Sequence, residues 1–448
     1  MKPIRIWDNY KYKKEEFITI PNLVASVLNK SLYQLQCEGF FVFPESVTQS
    51  DDLTKKQIVL QDIDDSIQTS NIIGFFGYGN ERLIISSRFD LGSNDYFLHY
   101  LIESVVQIPN IIDFETDSVF DSKMFALMLF LFPKYLSAAM RKGLYKTYVQ
   151  RNYNDANFRG VLDVDRHIQL NTPFVGNIAY GQREYTANNY LIHLVRHTIE
   201  FIRQKPYGNK LLFKVKNEVA SIVDATTDFS AGDLTRIVAE NKKRRVSHAY
   251  YHEYRSLQQL CIMILQNDKT RVGSGSMKSY GVLFDVSWLW EEYISNLIEE
   301  QFYHPNNRIR KYGQKLFLEE KVIYPDFIGK DSKKEPIIAD AKYKPIENID
   351  LDDYYQILAY MYRFESKKAF FLFPAKDSDD YKTLHLCKGL AFNGSSNYSI
   401  REEVLLIKLG LRIPKNVDSY CSFVDSIKEA ENDFVNTLLS LEAQFVAK

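Results

Sequence analysis

The sequence predicts an α+β protein with three regions: a β-rich amino-terminal domain over residues 1–118, a mostly helical middle over 119–275 and an α/β domain over 276–448. Short apolar runs between polar turns dominate the first region, helical spacing of apolar residues dominates the second, and strand-forming runs alternate with helical segments in the third. With 448 residues, 45% of them hydrophobic and 25% charged, the chain can bury more than one core.

The first two regions can be divided into elements. Residues 39–43 and 82–86 are rich in strand-forming side chains. Helical spacing is strongest over residues 123–140, 188–203 and 257–266. The glycine- and serine-containing stretch 273–276 is typical of a linker and predicts where the third domain starts.

Two strand-forming segments in the third region carry acidic residues. Residues 322–328 surround Asp326, and residues 337–343 contain Asp340 and Lys342. A polar stretch separates the segments, which predicts a β-hairpin. Because side chains alternate along a strand, Asp340 and Lys342 are expected on the same face.

Further elements complete the predicted α/β domain. Strands are expected over residues 368–373 and 404–409, and a helix over 417–445. That helix has apolar residues at spacings suited to packing or to contact with a partner: Phe423, Ile427, Phe434, Leu438 and Leu441.

The residue types of the hairpin suit metal-dependent phosphodiester hydrolysis. Carboxylates such as Asp326 and Asp340 are hard oxygen ligands of Mg²⁺, with Mn²⁺ as the other candidate. Lys342 would orient or help deprotonate the attacking water and offset charge on phosphorus. An acid-x-Lys triplet alone carries no information, because the chain contains others such as Glu365-Ser-Lys367. The alternative for this triplet is a structural ion pair in an ordinary hairpin.

Predicted helices flank the hairpin on both sides. Asp350 can cap a helix over residues 351–364, on which Gln356 and Tyr360 share a face. A helix starting near Ser287 carries Glu291, which is expected to complete the metal site directly or through water. The alternative for Glu291 is a solvated acid in the first turn of that helix.

These residues resemble motifs of the PD-(D/E)xK nuclease superfamily, and the segment from Gln356 to Tyr360 is similar to the Gln-x-x-x-Tyr motif of its RecB-like branch. A narrower resemblance is to the McrC family, in which a Leu-aromatic-Glu-x-Tyr helix precedes the Pro-Asp and Asp-x-Lys strands. Segments 158–164 and 184–189 also resemble the Arg-Gly-x-x-Asp and Glu-x-Thr-x-Asn segments of that family. The resemblance covers most of the chain after about residue 120.

The resemblance implies a restriction-endonuclease-like fold for the third region and a set of functional residues. The catalytic residues would be Asp326, Asp340, Lys342, Glu291, Gln356 and Tyr360, and the metal ligands Asp326, Asp340 and Glu291. It also implies a partner, an McrB-type AAA+ GTPase ring that activates cleavage of double-stranded DNA for defence against foreign DNA. The amino-terminal region is expected to engage that ring.

Two alternatives stay open. The chain could be a bridge and activator of the ring that does not cleave DNA, or an autonomous RecB-like repair nuclease. The sequence contains no Gly-x-x-x-x-Gly-Lys-Ser/Thr segment, so we expect it to bind no nucleotide itself. A net charge of -1 disfavours tight DNA binding without a partner. Basic clusters at 242–245 and at Arg308, Arg310, Lys311 and Lys315 are either phosphate contacts or solvated surface.

Other sequence features concern location and cysteine chemistry. The amino terminus lacks the apolar stretch of a secretory signal, and the apolar run 124–132 is too short to span a membrane, so a cytoplasmic site with no membrane contact is expected. The cysteines, Cys37, Cys261, Cys387 and Cys421, are far apart in sequence and are expected to be reduced core residues. The histidine pairs at 193/197 and 248/252 lack the context of a metal site.

Overall fold

The computed structural model describes residues 3–38, 40–43, 57–90, 95–106, 120–270, 279–305, 314–330, 336–376, 381–388 and 399–443. The chain forms two compact units. Unit 1 combines Met1–Ser118 with Met277–Lys448, and unit 2 is Val119–Ser276. The predicted linker at 273–276 and the basic residues Arg308, Arg310 and Lys311 lie outside the described residues.

The first part of unit 1 contains β1 (Ile4–Trp7), β2 (Lys11–Lys13), α1 (Pro21–Val27), α2 (Leu32–Glu38), β3 (Phe41–Phe43), β4 (Leu60–Ile63), β5 (Ser66–Thr69), β6 (Ile72–Tyr78), β7 (Glu81–Ser86) and α3 (Tyr96–Val106). Unit 2 contains α4 (Phe120–Met140), β8 (Thr147–Asp155), β9 (Val161–Leu162), α5 (Val164–Leu170), β10 (Ile178–Thr186), α6 (Tyr190–Arg203), α7 (Gly208–Phe213), α8 (Lys216–Ala225), α9 (Leu234–Lys243) and α10 (Glu253–Thr270). The second part of unit 1 contains β11 (Tyr280–Asp285), α11 (Val286–Leu297), β12 (Phe302–Tyr303), β13 (Gln314–Lys315), β14 (Val322–Ile323), β15 (Phe327–Gly329), β16 (Ile337–Ala341), α12 (Leu351–Arg363), β17 (Lys368–Ala375), β18 (Tyr381–Cys387), β19 (Ile400–Arg412) and α13 (Tyr420–Ala443).

A five-stranded sheet joins the two parts of unit 1. Its strand order is β1-β7-β6-β11-β3, so β11 lies between two strands of the amino-terminal region. Val282 of β11 pairs with Phe75 on one side and with Phe41 on the other. The layout therefore differs from separate first and third domains. The physical reason is that the centre of β11 is fully buried and needs backbone partners on both edges.

A second sheet of unit 1 has the strand order β12-β15-β16-β17-β19-β18. Its strands β16, β17 and β19 run parallel, and the flanking pairs are antiparallel. Ile357 and Met361 of α12 are buried in one cluster with Ile338, Phe371 and Phe373 of the sheet. This cluster fixes α12 over the strands that carry the acidic residues.

Several predicted elements of the third region are confirmed. The strands expected over 368–373 and 404–409 lie within β17 and β19, and the expected terminal helix is α13. All five apolar residues predicted for that helix are buried. Among the cysteines, Cys261 is buried as expected, whereas Cys37, Cys387 and Cys421 are exposed, so the core prediction was wrong for those three.

Unit 2 is mostly helical, as its sequence predicts, and adds a three-stranded sheet ordered β8-β10-β9. Helix α10 packs against α4 and α6. Asn189 caps α6 by accepting the Leu191 and Ile192 N–H groups at 3.1 and 3.2 Å. None of the helices in the described part of the chain is both long and apolar enough to cross a membrane.

Candidate active site

Asp326 and Asp340 face each other across the predicted hairpin. Strands β15 and β16 are antiparallel, with Phe327 opposite Ala339, so the next positions along the ladder are Asp326 and Asp340. Asp326 accepts the Ala341 N–H on its Oδ2 atom at 2.9 Å, which fixes its carboxylate against β16. Asp340 is 1% exposed and Asp326 is half-buried. Two acidic groups therefore share a small, poorly hydrated volume.

Lys342 lies directly after β16 and contacts both the sheet and α12. Its Nζ atom is 2.6 Å from Asp340 Oδ2. The same ammonium donates to Gln356 Oε1 at 2.8 Å and lies 3.4 Å from Asp353 Oδ1. Its backbone N–H donates to the Leu372 carbonyl at 2.9 Å, which extends the pairing of β16 with β17. The side chain is thus held between a strand and a helix.

A chain of hydrogen bonds continues from Lys342 along α12. Gln356 Nε2 donates to the Tyr360 hydroxyl at 2.8 Å, and that hydroxyl donates to the Tyr324 carbonyl at 3.1 Å. Both side chains project from one helical face, as the spacing predicts. The predicted cap is confirmed, because Asp350 accepts the Asp353 N–H at 3.2 Å. The polar face of α12 is therefore linked to the segment between β14 and β15 that contains Asp326.

Glu291 lies on α11 near the two aspartates but does not join them in one compact group. Its Oε1 atom is 3.7 Å from His304 Nε2, and His304 donates from Nδ1 to the Asp326 carbonyl at 2.7 Å. Across the described ranges, no group of three or more His, Cys, Asp or Glu side chains is arranged to hold a metal ion. Helix α11 begins at Val286, one residue before the predicted start, and Asp285 caps it.

The electrostatics of the aspartate pair reflect its burial. Burial raises the pKa of Asp326 well above its usual range, the Asp340 and Glu291 carboxylates raise it further, and Lys342 opposes them. Burial also raises the pKa of Asp340, while Lys342 lowers it and a side-chain hydrogen bond from Asp326 lowers it too. The two carboxyl groups therefore tend to share a proton unless additional positive charge is present.

At Lys342 the neighbouring charges have a larger effect on the pKa than burial does. Burial acts to lower the pKa of Lys342, but Asp340 and Asp326 raise it by more, so its net pKa lies above the ordinary value. Burial and the same two carboxylates also raise the pKa of Tyr360. Lys342 is thus a cation and Tyr360 a neutral phenol near pH 7. In this state Lys342 donates hydrogen bonds and does not act as a proton acceptor.

Sequence reasoning missed two residues of this site. Asp353 is 7% exposed and accepts a hydrogen bond from Lys344 at 2.6 Å while lying beside Lys342. Its position three residues after the predicted cap Asp350 is a capping-box pattern that could have identified it. His304 follows the short strand β12, and no local pattern connects it with Asp326.

The structure is a mixed α+β fold in which two aspartates and a lysine lie together at the neighbouring strands β15 and β16. The family model described as "McrBC 5-methylcytosine restriction system component" matches residues 67–374, which is more than half of the chain. The chain therefore belongs to this family, and the family resemblance inferred from the sequence is confirmed at that level.

Two solved structures from Thermococcus gammatolerans are similar to the chain. One is a half-complex from a tetradecameric assembly of McrB AAA+ hexamers with bound McrC, with 14% identity, a TM-score of 0.47, and coverage of 96% of this chain and 100% of that chain. The other is a cryo-EM structure of the McrBC complex, with 16% identity, a TM-score of 0.33, and coverage of 66% and 87%. Comparison with curated proteins gives no match.

Proposed function

We propose that this chain is the McrC-type endonuclease subunit of an McrBC restriction system and hydrolyses phosphodiester bonds of double-stranded DNA with Mg²⁺ or Mn²⁺. The observation that carries the proposal is the pair of facing carboxylates, Asp326 and Asp340, with the Lys342 ammonium 2.6 Å from Asp340. Family membership supports it independently, because the family is described as a restriction system component.

The aspartate pair suits a divalent cation. Asp340 Oδ2 accepts no hydrogen bond of satisfactory geometry from the described residues, although the Lys342 ammonium is 2.6 Å away as an ion pair. Burial and mutual repulsion both disfavour two negative charges at this place, and a bound cation would relieve both. Mg²⁺ commonly binds through one or two carboxylates and keeps several waters, so two aspartates are sufficient protein ligands.

The side chains around the pair have distinct proposed roles. A divalent cation held by Asp326 and Asp340 would make a bound water more acidic and stabilise charge on the phosphate. Lys342, a cation in this site, would stabilise the charge that develops on phosphorus and hold the attacking water. Gln356 and Tyr360 would orient Lys342 through their hydrogen bonds. Glu291 would act through water, since it pairs with His304.

We further propose that the partner is an AAA+ GTPase ring of the McrB type, which supplies nucleotide hydrolysis and DNA recognition. The chain has no phosphate-binding Gly-x-x-x-x-Gly-Lys-Ser/Thr segment, so nucleotide-driven work needs another protein. Its net charge of -1 gives it little general attraction for DNA. Recruitment to foreign DNA by a partner accounts for both features.

Cleavage by the reconstituted complex tests the proposal. Lys342→Ala and Asp340→Asn should each lower the cleavage rate about 100-fold or more, because preorganised charge stabilisation is lost. Lys330→Ala is the matched control, since Lys330 is an exposed lysine just after β15 and donates to the Glu299 carbonyl. It should cut at the wild-type rate. Cleavage that persists in Lys342→Ala would refute the assigned site, and efficient cutting without any partner would favour an autonomous nuclease.

A further inference from the structure

A buried acid and an arginine at the edge of the amino-terminal sheet lie beside the segment that follows β16 and contains Lys342. Asp8 follows β1 and Arg88 follows β7, and these strands are parallel neighbours, so both residues emerge at the same edge. Asp8 is 0% exposed and accepts the Arg88 N–H on Oδ1 at 2.6 Å. Its other oxygen, Oδ2, lies 3.6 Å from Arg88 Nε.

Arg88 reaches from this edge to the residue after Lys342. Its Nη2 atom donates to the Tyr343 carbonyl and also to Asn71 Oδ1, the latter at 3.2 Å. Its guanidinium carbon lies 4.9 Å from the centre of the Tyr343 ring. The Tyr343 hydroxyl is 2.5 Å from Ser87 Oγ. The backbone and the side chain of Tyr343 are therefore both held by residues of the amino-terminal sheet.

Stability does not explain why Asp8 and Arg88 are buried together. Within the described residues, Asp8 Oδ2 and Arg88 Nε and Nη1 have no hydrogen-bond partner. Burial raises the pKa of Asp8 to about 6 despite the adjacent Arg88. Replacing a buried ion pair with neutral groups of similar size is often neutral or stabilising, so an incompletely satisfied pair is poorly explained as a device for stability.

We propose that Asp8 and Arg88 are positioning residues that fix the backbone at Tyr343 and thereby the direction of Lys342. The proposal rests on the proposed nuclease function for its catalytic consequence. Leu372 fixes the Lys342 N–H from one side, and Arg88 fixes the next carbonyl from the other. Loss of the Arg88 contact would let the end of β16 move. A small displacement of a catalytic group such as Lys342 lowers the rate without changing substrate binding.

The test uses the full chain in the reconstituted complex, with the double variant Asp8→Asn/Arg88→Met. This variant removes both buried charges. Asn has the shape of Asp, and Met replaces the apolar stem of Arg88 as far as Nε. It should melt at or above the wild-type temperature, lose at least 10-fold in kcat, change KM for DNA by less than 2-fold, and show faster amide hydrogen exchange over residues 342–344. Tyr12→Phe is the control, because it removes the acceptor of the Trp7 N–H at 2.7 Å next to Asp8. It should lower the melting temperature but leave kcat unchanged.

Wild-type kcat in the folded double variant, or a rise in KM in place of the fall in kcat, would overturn the proposal. If the double variant does not fold, Arg88→Lys is the test variant, because lysine keeps the positive charge but lacks the forked donor of arginine. An unchanged kcat in Arg88→Lys would also refute the proposal. Hydrogen exchange separates this proposal from the nuclease assignment. Should the wild-type complex fail to cut DNA, unchanged exchange over residues 342–344 in the double variant would still refute the positioning role.

Discussion

The hydrogen-bond chain along α12 leads to a prediction about catalytic coupling. Gln356 links the Lys342 ammonium to the Tyr360 hydroxyl, and Tyr360 links Gln356 to the Tyr324 carbonyl. If the chain acts as one unit, removing either member releases Lys342 to a similar extent. Gln356→Ala and Tyr360→Phe should therefore each slow DNA cleavage, and the double variant should be little worse than either single variant.

The magnitude follows from the bonds that each substitution removes. Gln356→Ala removes the hydrogen bonds with Lys342 and Tyr360, and Tyr360→Phe removes those with Gln356 and the Tyr324 carbonyl. A net hydrogen bond is worth about 1 kcal/mol. Gln356 is exposed, so water replaces part of what is lost. We expect a loss of about 1–1.5 kcal/mol in transition-state stabilisation, or about a 5- to 10-fold fall in rate. Independent effects would multiply to a fall of about 25- to 100-fold in the double variant.

Single-turnover cleavage of a labelled duplex by the assembled complex measures these rates. Unfolding in denaturant should accompany each measurement, because Tyr360 is 4% exposed and its hydroxyl also contributes to stability. Tyr362→Phe is a suitable control, since Tyr362 lies on the same helix and is 88% exposed. Multiplicative losses in the double variant, with all proteins folded, would refute a coupled chain and leave two independent residues.

Three further predictions concern the metal, a buried histidine and the domain layout. Mg²⁺ or Mn²⁺ should support cleavage, Ca²⁺ should support it poorly, and excess EDTA should abolish it; full activity in EDTA would exclude the proposed metal mechanism. Burial lowers the pKa of His197 from 6.5 to about 4, so this imidazole is protonated at a higher pH in the unfolded chain than in the folded chain. The free energy of unfolding therefore falls as the pH drops from about 6.5 to about 4. That loss is about 3 kcal/mol and should be missing from the pH dependence of unfolding of His197→Gln; parallel wild-type and variant curves would contradict it. A fragment of residues 277–448 should not fold by itself, because β11 pairs with β6 and β3, so cooperative thermal unfolding of that fragment would contradict the observed sheet order.

Features determined by neighbouring residues could be predicted from the sequence. The α12 cap at Asp350 is an example, since a capping side chain bonds within its own first turn. The β-hairpin that carries Asp326 and Asp340 also followed from two strand-forming segments separated by a polar stretch. In unit 2, the family-like segment ending at Asn189 has a local explanation as well, because Asn189 caps α6.

Features that depend on distant residues could not be predicted. Strand β11 pairs with β3 and β6, which lie some two hundred residues earlier, and no local pattern specifies such a partner. The same reason applies to His304 at the Asp326 carbonyl and to Arg88 at the Tyr343 carbonyl. Predicting one domain per region failed for unit 1 because composition describes local conformation and not which edges of a sheet come together.

The distinction between local and distant contacts also explains why an acid-x-Lys triplet is uninformative by itself. The Glu319-Glu-Lys321 triplet lies in an exposed turn between β13 and β14, where water hydrates each charge separately. Lys342 contacts Asp340, β17 through the Leu372 carbonyl and α12 through Gln356. Arg88 of the amino-terminal sheet binds the carbonyl of the next residue, Tyr343. Charges buried in this way interact strongly and cannot relax into solvent. The triplet becomes a candidate catalytic centre because the rest of unit 1 fixes it in place.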